Sequence, residues 1–231
     1  RRYRGPSLEL SPPLTLAGGN SALEVGGRLP LRESAPAGNV SLKGRLDLAD
    51  TGKIIPPPDG FGFRGVLDLD VVLAGAYGDY DVTGGFALDD GSLTIPRASA
   101  PVTGITIRGN IGDGALVLER AAGNWGGGSL ALSGTLPLGL LPESLPLKFA
   151  RRPGPAEFVL EADRLTPEAT GFLPEGLSGL VSLRAQGRAE RPDLRALDAD
   201  IRFGDLAFEI DNISFSQAAP VQVEIRRGIA S

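Results

Sequence analysis

Apolar residues fall on every second position through much of the chain, the period that puts them on one face of a pleated strand. The clearest run is Leu67, Leu69, Val71 and Leu73, interleaved with Val66, Asp68, Asp70 and Val72, so its odd-numbered face is wholly apolar. The same alternation marks Leu42, Gly44, Leu46 and Leu48, then Leu93 and Ile95, Ile105 and Ile107, and Leu116 and Leu118. It returns at Leu130 and Leu132, at Phe158 and Leu160, at Leu206, Phe208 and Ile210, and at Val221, Val223 and Ile225. Between these runs stand Gly84-Gly85, Asp89-Asp90-Gly91, Asn110 to Gly114 and Gly126 to Gly128, which read as turns. Short strands at this spacing predict an antiparallel meander of about 12 to 15 strands.

Helical signals are confined to connections. Thr166 as N-cap, Pro167 at the first helical position and Glu168 in the first turn predict a short helix that stops before Pro174. Asp50 to Pro58, with prolines at 56, 57 and 58, predicts an irregular crossing. Leu140 to Leu147 reads as a Pro-bracketed connection and Arg151 to Pro155 as a loop.

The pattern also repeats. Leu23, Val25, Gly27, Leu29, Pro30 and Leu31 match Leu130, Leu132, Gly134, Leu136, Pro137 and Leu138, 107 positions on. Pro58-Asp59-Gly60 matches Pro174-Glu175-Gly176 at an offset of 116, and Gly65 to Gly75 resembles Gly179 to Gly187 from an offset of 114. Loop insertions account for the drift. The expectation is one continuous unit over residues 1–231, with internal repeats at about 20–125 and 126–231.

Composition narrows the chemistry. With 42% apolar residues a core is affordable, while 33 Gly and 19 Pro spread along the chain disfavour long helices. The chain has no Cys and no His, which removes disulfides, thiol chemistry, the commonest general base and the commonest metal ligand. A net charge of −5 without a clustered basic run argues against nucleic acid. No apolar run approaches the length of a membrane-spanning helix. The absence of Met and a start at Arg1 predict a segment of a longer protein.

Acidic turns are the best candidates for a polar site. Asp79 and Asp81, Asp89 and Asp90, and Asp113 resemble fragments of calcium-binding repeats, none with complete spacing. The plainer reading is that hairpin turns require Asp and Gly. Asp68 and Asp70 share a strand face and could form a glycosidase pair, or stand in solvent opposite the Leu67, Leu69 stripe. Gly126 to Gly128 after Trp125 lacks the Gly-Lys-Ser/Thr ending of a phosphate loop and reads better as a bulge or close approach entering the strand Ser129 to Leu136. Trp125 suits a partner anchor, a lipid interface or ordinary packing.

The apolar stripe itself is the remaining feature. In a sandwich such stripes bury one another; in a sheet that curls without closing they line a continuous trough. Twelve strands about 4.8 Å apart would make it roughly 58 Å long, which suits an acyl chain better than a compact solute.

The run from Gly65 to Leu138 resembles the periplasmic repeat of the TamB family, and more broadly the AsmA-like repeating β-groove proteins. The similar features are Gly65 to Gly75, Val82 to Leu88, Asp90 to Ile95, Ile105 to Gly109, Asp113 to Leu118 and Gly127 to Gly134, with Leu165 to Pro167 and Leu177 to Gly179 in the second copy. The resemblance covers Leu23 to Ile225 and rests mostly on Gly, Leu and Asp at intervals. It implies an all-β fold: a long antiparallel curved sheet forming a β-taco, a groove with an apolar interior and one or two short helices in its crossovers. It further implies a protein anchored in the inner membrane and lying in the periplasm, which moves phospholipid and partners a TamA-type outer-membrane barrel in autotransporter assembly. It offers no catalytic residues, no metal ligands and no cofactor.

The resulting expectation is a non-enzymatic segment in which phospholipid acyl chains ride the apolar face. Its lining candidates are Leu67, Leu69, Val71, Leu93, Ile95, Ile105, Ile107, Leu116, Leu118, Leu130 and Leu132. Two readings compete with it: a scaffold that guides outer-membrane strands by edge pairing, and a secreted β-solenoid or sandwich that binds or cleaves glycans, with calcium as an optional ligand.

Overall fold

The computed structural model describes residues 5–50, 59–141, 154–171, 177–191, 193–210 and 213–230. Its strands are β1 (Ser7–Gly18), β2 (Ser21–Pro30), β3 (Gly38–Asp47), β4 (Gly62–Ala76), β5 (Asp79–Thr94), β6 (Val102–Gly112) and β7 (Ala115–Trp125). Then follow β8 (Gly128–Pro137), β9 (Ala156–Leu165), β10 (Leu177–Ala189), β11 (Leu197–Ile210), β12 (Ile213–Ser216), β13 (Val221–Arg226) and β14 (Ile229–Ala230). All fourteen belong to one sheet whose order follows the sequence from β1 to β11 and continues to β13 and β14, with β12 also on β11. Every pairing is antiparallel. The protein is therefore all-β, an open meander whose first and last strands do not meet.

Such a sheet has two rims. On the upper rim lie the connections β2–β3, β4–β5, β6–β7, β8–β9 and β10–β11; on the lower rim lie β1–β2, β3–β4, β5–β6, β7–β8 and β9–β10. Tight turns serve the short connections. Gly126 and Gly127 both take left-handed φ, +56° and +81°, which makes the two-residue turn from β7 to β8 possible. The Gly126 to Gly128 stretch is thus mainly a hairpin turn, with Gly128 already inside β8.

The short helix read at Thr166 is a 3-10 turn, Pro167–Thr170, closed by Gly171 in the left-handed region. Thr166 makes no capping bond; its hydroxyl donates instead to the Gly126 carbonyl on the neighbouring turn. Two further 3-10 turns occupy Leu138–Leu140 and Leu194–Ala196, and residues 48–50 are helical. The crossing read at 51–58 and most of those at 140–147 and 151–155 lie outside the described residues.

Two sequence readings are corrected. Gly84-Gly85 and Asp89-Asp90-Gly91 are not turns but lie inside β5, the longest strand. Asp90 takes φ +51° at a bulge, where the register of β5 slips against both β4 and β6. Asp and Gly tolerate the backbone of a turn and of a bulge alike, so composition could not separate the two.

Packing is thin. The chain exposes 14767 Å², about one and a half times the roughly 9,900 Å² of a compact chain of its mass. Among the described residues the buried apolar set is small and rich in alanine: Ala35, Ala162, Ala169, Ala185 and Ala199 beside Tyr80, Val82, Leu88, Val102 and Leu138. A two-layer sandwich would bury its central leucines. Here Leu88 is buried, but Leu67, Leu69, Leu118 and Leu130 stay partly exposed.

Candidate functional site: the apolar face of the sheet

Register fixes which side chains share a face, because residues opposite one another across strands point the same way. Following the pairs from β1 to β13 gives one line: Leu16, Leu23, Gly44, Leu69, Phe86, Gly109, Leu118, Gly134, Phe158, Gly187, Ala199 and Ile225. It crosses twelve strands, about 53 Å at the usual spacing, without one polar side chain. A second line runs beside it through Leu46, Leu67, Leu88, Ile107, Ala121 and Leu132 to Leu160, Ala185, Ile201 and Val223. On its other side lie Leu14, Val25, Leu42, Val71, Gly84, Ile111, Leu116 and Leu136. One whole face of the sheet is therefore apolar.

The central line is also the richest in glycine. It carries Gly44, Gly109, Gly134 and Gly187, while its flanks are mostly Leu, Ile and Val. Two of these glycines are roofed by phenylalanine. A Cβ at Gly109 would lie 2.4 Å from Phe86 Cζ, and one at Gly187 2.7 Å from Phe158 Cζ. Each ring therefore rests on the bare backbone of the next strand, covering it without a second side chain.

The opposite face is polar and carries cross-strand ion pairs. Lys43 meets Asp70 at 2.6 Å, Arg45 meets Asp68 at 3.0 Å and Arg108 meets Asp89 at 2.7 Å, with Arg184 and Glu161 continuing the pattern. The hydrogen bond from Lys43 to Asp70, helped by their opposite charge, raises the lysine pKa; Asp68 does the same for Arg45. Asp68 and Asp70 are thus solvated ion-pair partners back to back with Leu67 and Leu69. Two open depressions lie on this face, about 720 Å³ around Lys43, Asp68, Gly85, Ala87 and Arg108, and about 560 Å³ around Ser133, Glu157, Val159, Gln186, Arg188 and Asp200. Their walls mix both signs of charge. Among the described residues no three carboxylates gather where a metal ion would fit.

Curvature has a direct marker. Tyr80 on β5 lies on the apolar face, since Val82 beside it pairs through Leu73 and Val40 to Gly27. Its hydroxyl nonetheless donates to the Pro30 carbonyl on β2 at 2.5 Å, past β3 and β4. In a flat sheet those strands stand about 14 Å apart, so the apolar face is concave here. The positions passed over are Gly38 and Gly75, which pair with each other and leave room for the ring. Burial raises the Tyr80 pKa, with a smaller contribution from Tyr77.

The lower rim is stitched across strands. Trp125 Nε1 donates to the Ala100 carbonyl at 2.9 Å, so the single Trp is tethered in the rim. Ser99 donates from its amide to Ala169 O and from its hydroxyl to Glu168 O, and the Glu168 carboxylate accepts from the Gly179 amide. Connections β5–β6, β7–β8 and β9–β10 thereby form one ledge, with Pro167 and Ala169 buried in it.

Of the eleven lining candidates, Leu67, Leu69, Val71, Leu93, Ile105, Ile107, Leu116, Leu118, Leu130 and Leu132 stand on strands with their side chains on this face. None is buried, and Leu132 is 36% exposed. Ile95 lies just beyond β5, in the lower-rim connection. Sequence reasoning missed Phe86 and Leu88, which belong to the same two lines. Their alternation was hidden because the glycines and aspartates around them read as turns.

Comparison with protein-family models, with curated proteins and with solved structures finds no match to this chain.

Proposed function

We propose that the apolar face is a cradle for phospholipid acyl chains, and that the protein handles lipid without catalysing a reaction. The observation that carries this reading is the unbroken apolar line across twelve strands, with Leu69, Phe86, Leu118 and Phe158 at its centre left partly exposed. An uncovered apolar surface of that extent marks a binding surface. Its chemistry fits hydrocarbon: the lines offer shallow contact and no polar anchor, so a chain is held weakly at many equivalent places and can slide. Head groups would stay at the open seam. On the resemblance to the TamB family, the setting is the periplasm, within a protein anchored in the inner membrane, with a TamA-type outer-membrane barrel as partner.

The test is mass spectrometry of molecules retained by the purified protein, paired with photo-crosslinking of a phospholipid carrying a reactive acyl chain. Retained phospholipid, and crosslinks that map to Leu69, Ile107 and Leu118, support the cradle. Replacing Leu69→Arg together with Ile107→Arg places two charges in adjacent lines and should abolish crosslinking while the circular dichroism of the sheet is kept. Crosslinking that survives this pair overturns the reading. Co-purification of a β-strand client in place of lipid would favour the edge-pairing scaffold, and melting that depends on calcium the glycan-directed module.

A further inference from the structure

On β4 the apolar face runs out past the lower rim. Phe63 stands opposite Leu93, which fixes it on that face, and Phe61 lies two residues further out; Gly65, Leu67 and Leu69 carry the stripe inward. The two rings are 44% and 38% exposed. They are bare because β3 ends early. Its last pair with β4 is Asp47 with Val66, so among the described strands the start of β4 has β5 alone beside it. The helical residues 48–50 lean the other way, with Asp47 and Asp50 accepting from Asn20 in the β1–β2 turn.

Basic side chains flank the rings. Arg64 follows Phe63 on the opposite face of the strand, and Arg97 is one of the two central residues of the turn that the Ala98 amide closes on Ile95 O. That turn packs on the approach to β4, since a Cβ at Gly60 would lie 3.0 Å from Pro96 Cγ. Both arginines are exposed, and neither is paired with a carboxylate among the described residues. Over 59–65 and 92–98 the charged side chains are Arg64 and Arg97 against Asp59, a net of +1 on a chain whose total is −5.

We propose that this corner is a lip by which the protein docks edge-on onto a phospholipid bilayer, the two phenylalanines entering the acyl boundary and the two arginines meeting lipid phosphates. Such binding grows with buried apolar area and with attraction to anionic lipid, and it demands no matching shape. Arginine suits that depth, because its stem lies along apolar surface while its head stays in water. The rest of an acidic chain is repelled by an anionic surface, so the positive corner also sets the orientation. A path follows from it. An acyl chain leaving the bilayer beside Phe61 and Phe63 meets Gly65, Leu67 and Leu69 next, with no polar side chain to cross. The purpose of the lip rests on the reading of the face as an acyl cradle; the docking itself does not.

Flotation with vesicles reads the docking. The unaltered protein should float with phosphatidylglycerol vesicles, and Phe61→Ser with Phe63→Ser should lower its partition coefficient at least tenfold. Circular dichroism should be unchanged, since both rings are already exposed. Arg64→Gln with Arg97→Gln should bring partitioning on phosphatidylglycerol down to the value on phosphatidylcholine. Tyr77→Ser removes a comparably exposed ring from the upper rim and should float as the unaltered chain does. Undiminished flotation of the phenylalanine pair, or an equal loss in Tyr77→Ser, overturns the lip. Absence of flotation on either vesicle also overturns it and leaves the corner to a protein partner. Mass spectrometry of lipid retained by the purified chain keeps the two readings apart. Flotation without retained lipid fails the cradle and keeps the lip; retained lipid without flotation does the reverse.

Discussion

Tyr80 and Pro30 are bonded across two intervening strands, and both are withdrawn from solvent. The bond is possible only because the sheet bends toward its apolar side, so it serves as a local gauge of that bend. Removing the hydroxyl would leave the Pro30 carbonyl in a dry site without a donor. Tyr80→Phe should therefore cost about 1 to 3 kcal/mol, read as a lower urea midpoint with an unchanged slope.

Alkaline pH should act through the same residue. Burial raises the Tyr80 pKa, so its neutral form is favoured in the folded protein. A group shifted upward contributes fully below its unfolded value, about 10 for tyrosine, and loses that contribution as pH rises through the folded value. A stability profile should stay flat in this term up to about pH 10 and fall beyond it. In Tyr80→Phe that component should be missing, with any remaining decline belonging to groups such as Lys43.

Gly109 and Gly187 should refuse alanine for a shared reason. A methyl at either would strike the ring resting on it and a backbone carbonyl as well, Val117 O at 2.7 Å or Asp198 O at 2.9 Å. The ring could swing aside, but the carbonyl belongs to the sheet. Gly109→Ala and Gly187→Ala should each cost about 1 to 3 kcal/mol. Gly112→Ala, which meets nothing within 4 Å, is the control and should stay within about 0.5 kcal/mol. Equal losses at all three would show that the rings are incidental.

Ion pairs on the polar face should matter little. Lys43 and Asp70 are 71% and 61% exposed, so solvent screens their attraction. Asp70→Asn should leave the urea midpoint close to that of the unaltered chain, and salt should shrink the remaining difference. The ladders align neighbouring strands and keep this face wet, which leaves the other face as the one with surface to cover.

How far the sequence revealed this arrangement depended on the range of the cause. Alternation at Leu67 to Leu73 named a strand and its apolar face, because a period of two is a local property. Gly126 to Gly128 and Asp113-Gly114 marked hairpins for the same reason. Local chemistry failed where one residue type serves two geometries: Asp89-Asp90-Gly91 makes a bulge in β5, and reading it as a turn hid Phe86 and Leu88 from the lining set. Thr166 was placed rightly at the start of a helical turn, yet its hydroxyl answers to Gly126, a partner 40 residues away. Nothing near Tyr80 or Pro30 in sequence foretells their bond, since it arises from curvature summed over four strands.

The ledge on the lower rim has a mechanical consequence. A meander pulled from its two ends has no long-range ties of its own, so it would peel one strand at a time, like a zip. The Ser99 bonds to Ala169 and Glu168 join the β5–β6 and β9–β10 connections past the β7–β8 turn, which Trp125 and Thr166 tie in between them, so load on β5 and β6 would be passed directly to β9 and β10. Under tension the middle of this chain should behave as a single plate, and tearing should begin at the flanks.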